Sequence, residues 1–164
     1  MRMEVLNTSN NHHPIKCMSS STTHEKTSPC KADKRSTLNN KPKILLVEDS
    51  LLIQKAQHYF LQSMQCDIDI ASTGESAISL AGKNNYDLIF LDVGLPDTTG
   101  IDVCKYFREQ LSLTTPIVVA TAYGKLVEKD CLSAGANDFY TKPVTKNNLQ
   151  EILLRFLPNH ETSK

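Results

Sequence analysis

The sequence predicts a three-layer α/β sandwich in which helices cover both faces of a parallel five-stranded sheet. Three observations predict it. From Lys41 onward the chain carries short runs rich in Ile, Leu and Val, the composition of buried strands. Stretches with helical spacing of apolar residues lie between these runs. The two kinds of segment alternate strictly, five of each, and such alternation implies parallel pairing through right-handed crossovers.

The strands are expected at Ile44–Val47, Asp67–Ala71, Leu88–Leu91, Ile117–Ala120 and Phe139–Thr141. The helices are expected at about Leu51–Gln65, Glu75–Lys83, Ile101–Gln110, Leu126–Ala134 and Lys146–Leu157. The last helix shows its buried stripe most clearly, because Leu149, Ile152, Leu153 and Phe156 stand at the i, i+3, i+4, i+7 positions of one face.

The chain has 164 residues and 18.3 kDa, the size of one ordinary domain. Its first forty residues read differently. They hold six basic residues (Arg2, Lys16, Lys26, Lys31, Lys34, Arg35), three acids (Glu4, Glu25, Asp33), a Ser/Thr run and few large apolar side chains. Such a segment buries too little surface to offset its ordering entropy, so residues 1–40 are expected to form a disordered basic arm, followed by a domain at 41–158 and a short tail at 159–164. The formal net charge of +0 is therefore a cancellation between a basic arm and an acidic domain. With no global positive field and no basic patch or helix-turn-helix, direct DNA binding is not expected. No apolar stretch reaches membrane-spanning length and no secretory signal opens the chain, so no membrane association is expected. The five cysteines (Cys17, Cys30, Cys66, Cys104, Cys131) form no CxxC pair, which suits a reducing, cytoplasmic setting. Cys17 and Cys30 with His12, His13 and His24 match no zinc-ligand spacing.

In open parallel sheets, ligands bind beyond the carboxyl ends of the strands. The first strand ends in Glu48-Asp49, the third in Asp92, the fourth in Thr121 and the fifth in Lys142-Pro143. Asp49-Ser50 alone is better explained as a solvated charge or a cap on the first helix. Three carboxylates on one rim are another matter, because crowded like charges raise one another's pKa unless a cation offsets them. Lys142 is one offset and a hard divalent ion such as Mg²⁺ is another, since Mg²⁺ takes one or two carboxylates together with phosphate oxygens. Phosphoryl transfer needs positive charge and donors around the transferred group, which Lys142 and Thr121 supply, and an aspartate can itself be the nucleophile. Asp92, on the middle strand, is the best placed.

These residues resemble the receiver domain of two-component response regulators, both chemotaxis-regulator-like proteins and the receivers of hybrid sensor kinases. The matching pieces are ILLVEDS (Ile44–Ser50), LIFLDVGLPDTTG (Leu88–Gly100), PIVVATA (Pro116–Ala122) and AGANDFYTKPV (Ala134–Val144). The resemblance implies a flavodoxin-like (βα)5 fold with strand order 2-1-3-4-5. It also implies that Asp92 takes a phosphoryl group from a sensor histidine kinase or a histidine phosphotransfer protein. Glu48, Asp49, Asp92 and the Gly94 carbonyl would then hold Mg²⁺. Thr121 and Lys142 would grip the phosphoryl oxygens, Phe139 would be a switch aromatic, and Lys142-Pro143 a cis peptide. Gly94 and Tyr123 would flank the phosphoryl group and tune its lifetime. Glu48 departs from the commoner Asp by one methylene.

By that resemblance the chain is a phosphoacceptor and not an enzyme beyond its own phosphotransfer and dephosphorylation. Its length leaves no room for an output domain, so its output is expected to be contact with a downstream protein target or onward phosphotransfer. A constitutive protein-interaction module and a receiver piece of a hybrid-kinase relay are the alternatives. A flavin-binding electron carrier would need a phosphate loop where EDSLLIQ stands, and a phosphatase with an aspartate nucleophile usually has a second acid where Gly94 stands.

Overall fold

The computed structural model describes residues 41–160; the expected arm at 1–40, with Cys17 and Cys30, and residues 161–164 lie outside the described residues. In chain order the elements are β1 (Lys43–Val47), α1 (Leu51–Ser63), β2 (Asp67–Ala71), α2 (Gly74–Lys83), β3 (Leu88–Asp92), α3 (Gly100–Glu109), β4 (Ile117–Thr121), a 3-10 turn (Gly124–Val127), α4 (Glu128–Ser133), β5 (Asp138–Thr141) and α5 (Lys146–Phe156). All five strands are parallel, in the order β2-β1-β3-β4-β5. The expected fold class and strand order are therefore found. Because the chain leaves β1 and β3 in opposite directions across the sheet, the crevice that binds ligands in such folds opens at their carboxyl ends.

The sheet is a platform held from both sides. Ile44 and Leu46 of β1 face the cluster beneath α1 and α5, while Leu45 and Val47 face the cluster beneath α2, α3 and α4. All four are at most 2% exposed, which is why β1 reads as a continuous apolar run instead of an alternating one. Each such side chain contributes about 1.5–3 kcal/mol on burial. Leu149, Ile152 and Leu153 of α5 are fully buried, and Phe156, at the end of the same stripe, is only half-buried.

Two expected helices are revised. The stretch from Leu126 to Ala134 is not one helix: the 3-10 turn comes first, and α4 spans only Glu128–Ser133. Gly124 has φ +63°, a left-handed conformation from which an α-helix does not start, and Leu126 is 91% exposed. Helix α1 stops at Ser63, not Gln65, because Gln65 has φ +62°. Strands β3 and β4 each run one residue further than expected, so Asp92 and Thr121 are the last residues of their strands.

Gly100 opens α3 beside the end of β3. A Cβ there would fall 2.0 Å from the backbone oxygen of Asp92. Gly100→Ala is therefore expected to push α3 off β3 and cost about 1–3 kcal/mol, as overpacking does. Urea unfolding should show this as a lower midpoint with an unchanged slope. An unchanged midpoint would mean that α3 retreats at no cost.

Candidate functional site

Each site residue is delivered by a strand end. The ladder continues one residue past β1, where the Glu48 amide donates to the Ala71 carbonyl at 3.0 Å. This turns the Glu48 side chain inward, where it is 2% exposed. Its Oε1 accepts from the Ser50 amide at 3.2 Å. Its Oε2 accepts from the Lys142 ammonium at 2.6 Å. Asp49 follows on the exposed side of the rim. Ser50 occupies the N-cap position of α1 but its side chain makes no capping bond, so helix capping does not account for this residue.

Asp92 is buried at the end of β3. Its Oδ1 accepts from the Gly94 amide at 3.2 Å and its Oδ2 from Lys142 Nζ at 2.7 Å. Thr121 is fully buried, and its Oγ1 accepts from the Tyr123 amide at 3.2 Å. Pairing of Thr121 with Thr141 across β4 and β5 brings the Lys142 amide within 2.9 Å of the Thr121 carbonyl, so the hydroxyl and the amine share one register. The Lys142–Pro143 peptide is cis, as the resemblance implied. A Cβ on Gly94 would sit 3.8 Å from Asp92 Oδ2 and 3.8 Å from Tyr123 Cε2, so the tyrosine ring leans over the space that Gly94 leaves open. Phe139 is half-buried, packed against the core beneath α2, α3 and α4.

One oxygen each from Glu48, Asp49 and Asp92 lies within 4.8 Å of the other two. A single ammonium therefore stands among three carboxyl groups. Burial pushes the Glu48 carboxyl up; its bond to Lys142 opposes this, Asp92 adds to it, and the net shift is upward. For Lys142, burial works to lower the pKa, and the bonds to Asp92 and Glu48 outweigh it, so the ammonium is held more firmly than usual. The surplus of negative charge, the all-oxygen donor set and the opening to solvent beside Asp49 fit a hard divalent cation.

Two further residues bear on the site that the pattern of strand ends did not reveal. Gln54, on the inward face of α1, donates to the Glu48 carbonyl and is 6% exposed. Asp97, in the loop after β3, accepts from the first two amides of α2. A polar residue at an inward helical position was the available signal for Gln54; Asp97 had none beyond its place in the loop.

Comparison with known proteins follows the same lines. The family model described as "Response regulator receiver domain" matches residues 44–154. The transcriptional regulatory protein ResD of Bacillus subtilis is 37% identical over 117 residues, covering 71% of this chain and 47% of ResD. The osmosensing histidine protein kinase SLN1 of Saccharomyces cerevisiae is 34% identical over 129 residues, covering 74% of this chain and 11% of that kinase. The chain thus spans about half, or less, of the length of these relatives. Among solved structures, the chemotaxis response regulator CheY4 of Vibrio cholerae superposes with a TM-score of 0.67 at 30% identity, covering 72% of this chain and 100% of CheY4. The strand order, the acids at the ends of β1 and β3, and the matched span agree: this chain belongs to the response regulator receiver domain family, whose members work in phosphorelay signalling.

Proposed function

We propose that Asp92 is the phosphoacceptor, taking a phosphoryl group from a phosphohistidine on a sensor histidine kinase or a histidine phosphotransfer protein. The observation that carries this reading is the Lys142 ammonium bridging buried Asp92 and Glu48 beside Asp49 and Thr121. In the step, a carboxylate oxygen of Asp92 forms the new O–P bond while the P–N bond of the phosphohistidine breaks, its electron pair leaving on the imidazole nitrogen. Glu48, Asp49, Asp92 and the Gly94 carbonyl would hold Mg²⁺. When bound, that ion supplies positive charge against the carboxylates and the phosphoryl oxygens.

The remaining work belongs to the chain. The Lys142 ammonium, already 2.7 Å from Asp92, pairs with a phosphoryl oxygen once Asp92 is modified, and the Thr121 hydroxyl donates to another. Phosphorylation adds about −1.5 to −2 charge, enough to re-pair both groups. Phe139, half-buried beside β4, turns inward as Thr121 moves, and the surface of α4, β5 and α5 that a downstream protein target reads changes with it. This makes the chain a phosphoacceptor whose only chemistry is its own phosphotransfer and dephosphorylation, with no direct DNA contact. The described cysteines Cys66, Cys104 and Cys131 are buried free thiols, which supports a cytoplasmic setting, and no described helix is long and apolar enough to cross a membrane. A receiver within a hybrid-kinase relay is the second reading, favoured by the similarity to SLN1.

Incubation with Mg²⁺ and acetyl phosphate, followed by intact mass measurement, is expected to show one phosphoryl adduct that disappears in Asp92→Asn and with a chelator. An adduct that persists in Asp92→Asn would remove Asp92 as the acceptor. Because the exposed Tyr123 ring leans over Gly94, Tyr123→Ala is expected to admit water and shorten the lifetime of the phosphorylated form severalfold, read as the decay of the adduct after donor removal. An unchanged or longer lifetime would show that the ring does not shield the site.

A further inference from the structure

β1 and β3 pair as far as Val47 and Leu91, and Lys142 bridges Glu48 and Asp92, but beyond the strand ends the two segments that carry the site's oxygen ligands share no backbone hydrogen bond; a third segment, which carries none, links them further out. Glu48 and Asp49 lie on the loop after β1; Asp92 ends β3, and Gly94 lies on the loop that follows it. The turn after β2 and the first two residues of α2, together residues 72–75, are linked to both through polar side chains.

On one side the link is Gln54. Its Nε2 donates to the Glu48 carbonyl and to Ser72 Oγ, the latter at 3.1 Å. The Glu48 carbonyl belongs to the peptide plane joining Glu48 to Asp49, so the bond fixes the orientation of the peptide between the two acids. Gln54 is 6% exposed, at a helix position where packing alone would favour an apolar side chain. Removing it would leave a buried carbonyl without its side-chain partner.

On the other side the link is Asp97. Its Oδ1 accepts from the Gly74 amide at 2.8 Å and its Oδ2 from the Glu75 amide at 3.0 Å. These amides hold the Asp97 carboxyl below the usual carboxylate range. Helix α2 has its own cap, since Thr73 Oγ1 accepts from the Ser76 amide, so Asp97 serves amides that the Thr73 hydroxyl does not take. The loop carrying Asp97 is closed on itself: Gly100 N donates to the Val93 carbonyl at 2.9 Å, and Gly94 bridges Thr99. A shift of Asp97 is therefore passed to Gly94, whose amide bonds the Asp92 carboxylate at 3.2 Å. The turn is seated tightly against this loop, because a Cβ on Gly74 would meet Thr98 Cγ2 at 2.2 Å.

We propose that Gln54 and Asp97 are positioning residues that use the turn at 72–75 as a strap, fixing the distance between the two ligand-bearing loops and so the affinity of the site for a divalent cation. The proposal rests on the reading of the site given above. The Glu48 amide is held separately to the Ala71 carbonyl, so what Gln54 and Asp97 add acts through the one turn, and releasing either end loosens that same added constraint.

The test is a Mg²⁺ titration by calorimetry of the full chain and of Gln54→Leu, Asp97→Ala, Asp97→Asn, the double variant Gln54→Leu/Asp97→Ala, and Thr73→Ala, with folding checked by circular dichroism. Each single cut is expected to weaken Mg²⁺ binding about tenfold, the lower end of what the partners of metal ligands are worth. Asp97→Asn, whose amide oxygen keeps one acceptor, should fall between wild type and Asp97→Ala. The double variant should bind no more weakly than the weaker single variant. Thr73→Ala should lower the melting temperature while leaving Mg²⁺ affinity within about twofold. Asp97 is exposed, so its variants keep the test open even where the buried Gln54→Leu change impairs folding. Losses that multiply to about a hundredfold in the double variant would mean two independent local effects and would overturn the strap. So would an equal loss in Thr73→Ala, or no loss in either single variant. A wild-type chain that binds no Mg²⁺ would instead overturn the reading of the site itself.

Discussion

Three carboxyl groups crowded at the ends of β1 and β3 would repel one another, and in this structure one ammonium holds the arrangement. Lys142 Nζ lies 2.6 Å from Glu48 and 2.7 Å from Asp92, and both acids are almost fully withdrawn from water. A buried ion pair is no assurance of net stability, since desolvation cancels much of the attraction. It does impose geometry. The amine must come from the end of β5, with two strands between it and the strand of Glu48, so the order β2-β1-β3-β4-β5 and the register of Thr121 with Thr141 are preconditions of the site. The apolar clusters on both faces keep the five strand ends in that relation.

The same arrangement suits the proposed switch. The strands that deliver Glu48, Asp92 and Thr121 are buried. Of the groups proposed to respond, the Thr121 side chain starts buried at the end of β4, while Lys142 and Phe139 lie at β5, where burial is partial. The short α4 and the 3-10 turn before it belong to this less packed region, and Leu126 there is 91% exposed. A change of charge at Asp92 therefore meets a firm base on one side and a yielding surface on the other.

Most of the fold and much of the site were legible in the sequence because both depend on strands. A buried parallel strand announces itself as a short apolar run, and its last residue is then the rim of the crevice. Helices were read less well, for physical reasons. Gly124 and Gln65 take left-handed conformations that periodicity does not register. Helix α1 mixes its polarity: Gln54 and Gln57 are buried alongside Leu61, while Leu52 and Tyr59 are 79% and 68% exposed. A rule that places apolar residues inside misses Gln54, whose burial is offset by its bonds to the Glu48 carbonyl and Ser72. Asp97 was hidden for another reason. Its partners are backbone amides 22 and 23 residues away, and nothing in the spacing of side chains encodes such a contact.

On the proposed reading, the Lys142 ammonium and a divalent cation answer the same surplus of negative charge. The most direct measurement is the Mg²⁺ affinity of Lys142→Met against wild type at neutral pH. With the competing positive charge gone, the carboxylates should bind Mg²⁺ more tightly, by about tenfold. Equal or weaker binding in the variant would contradict the claim.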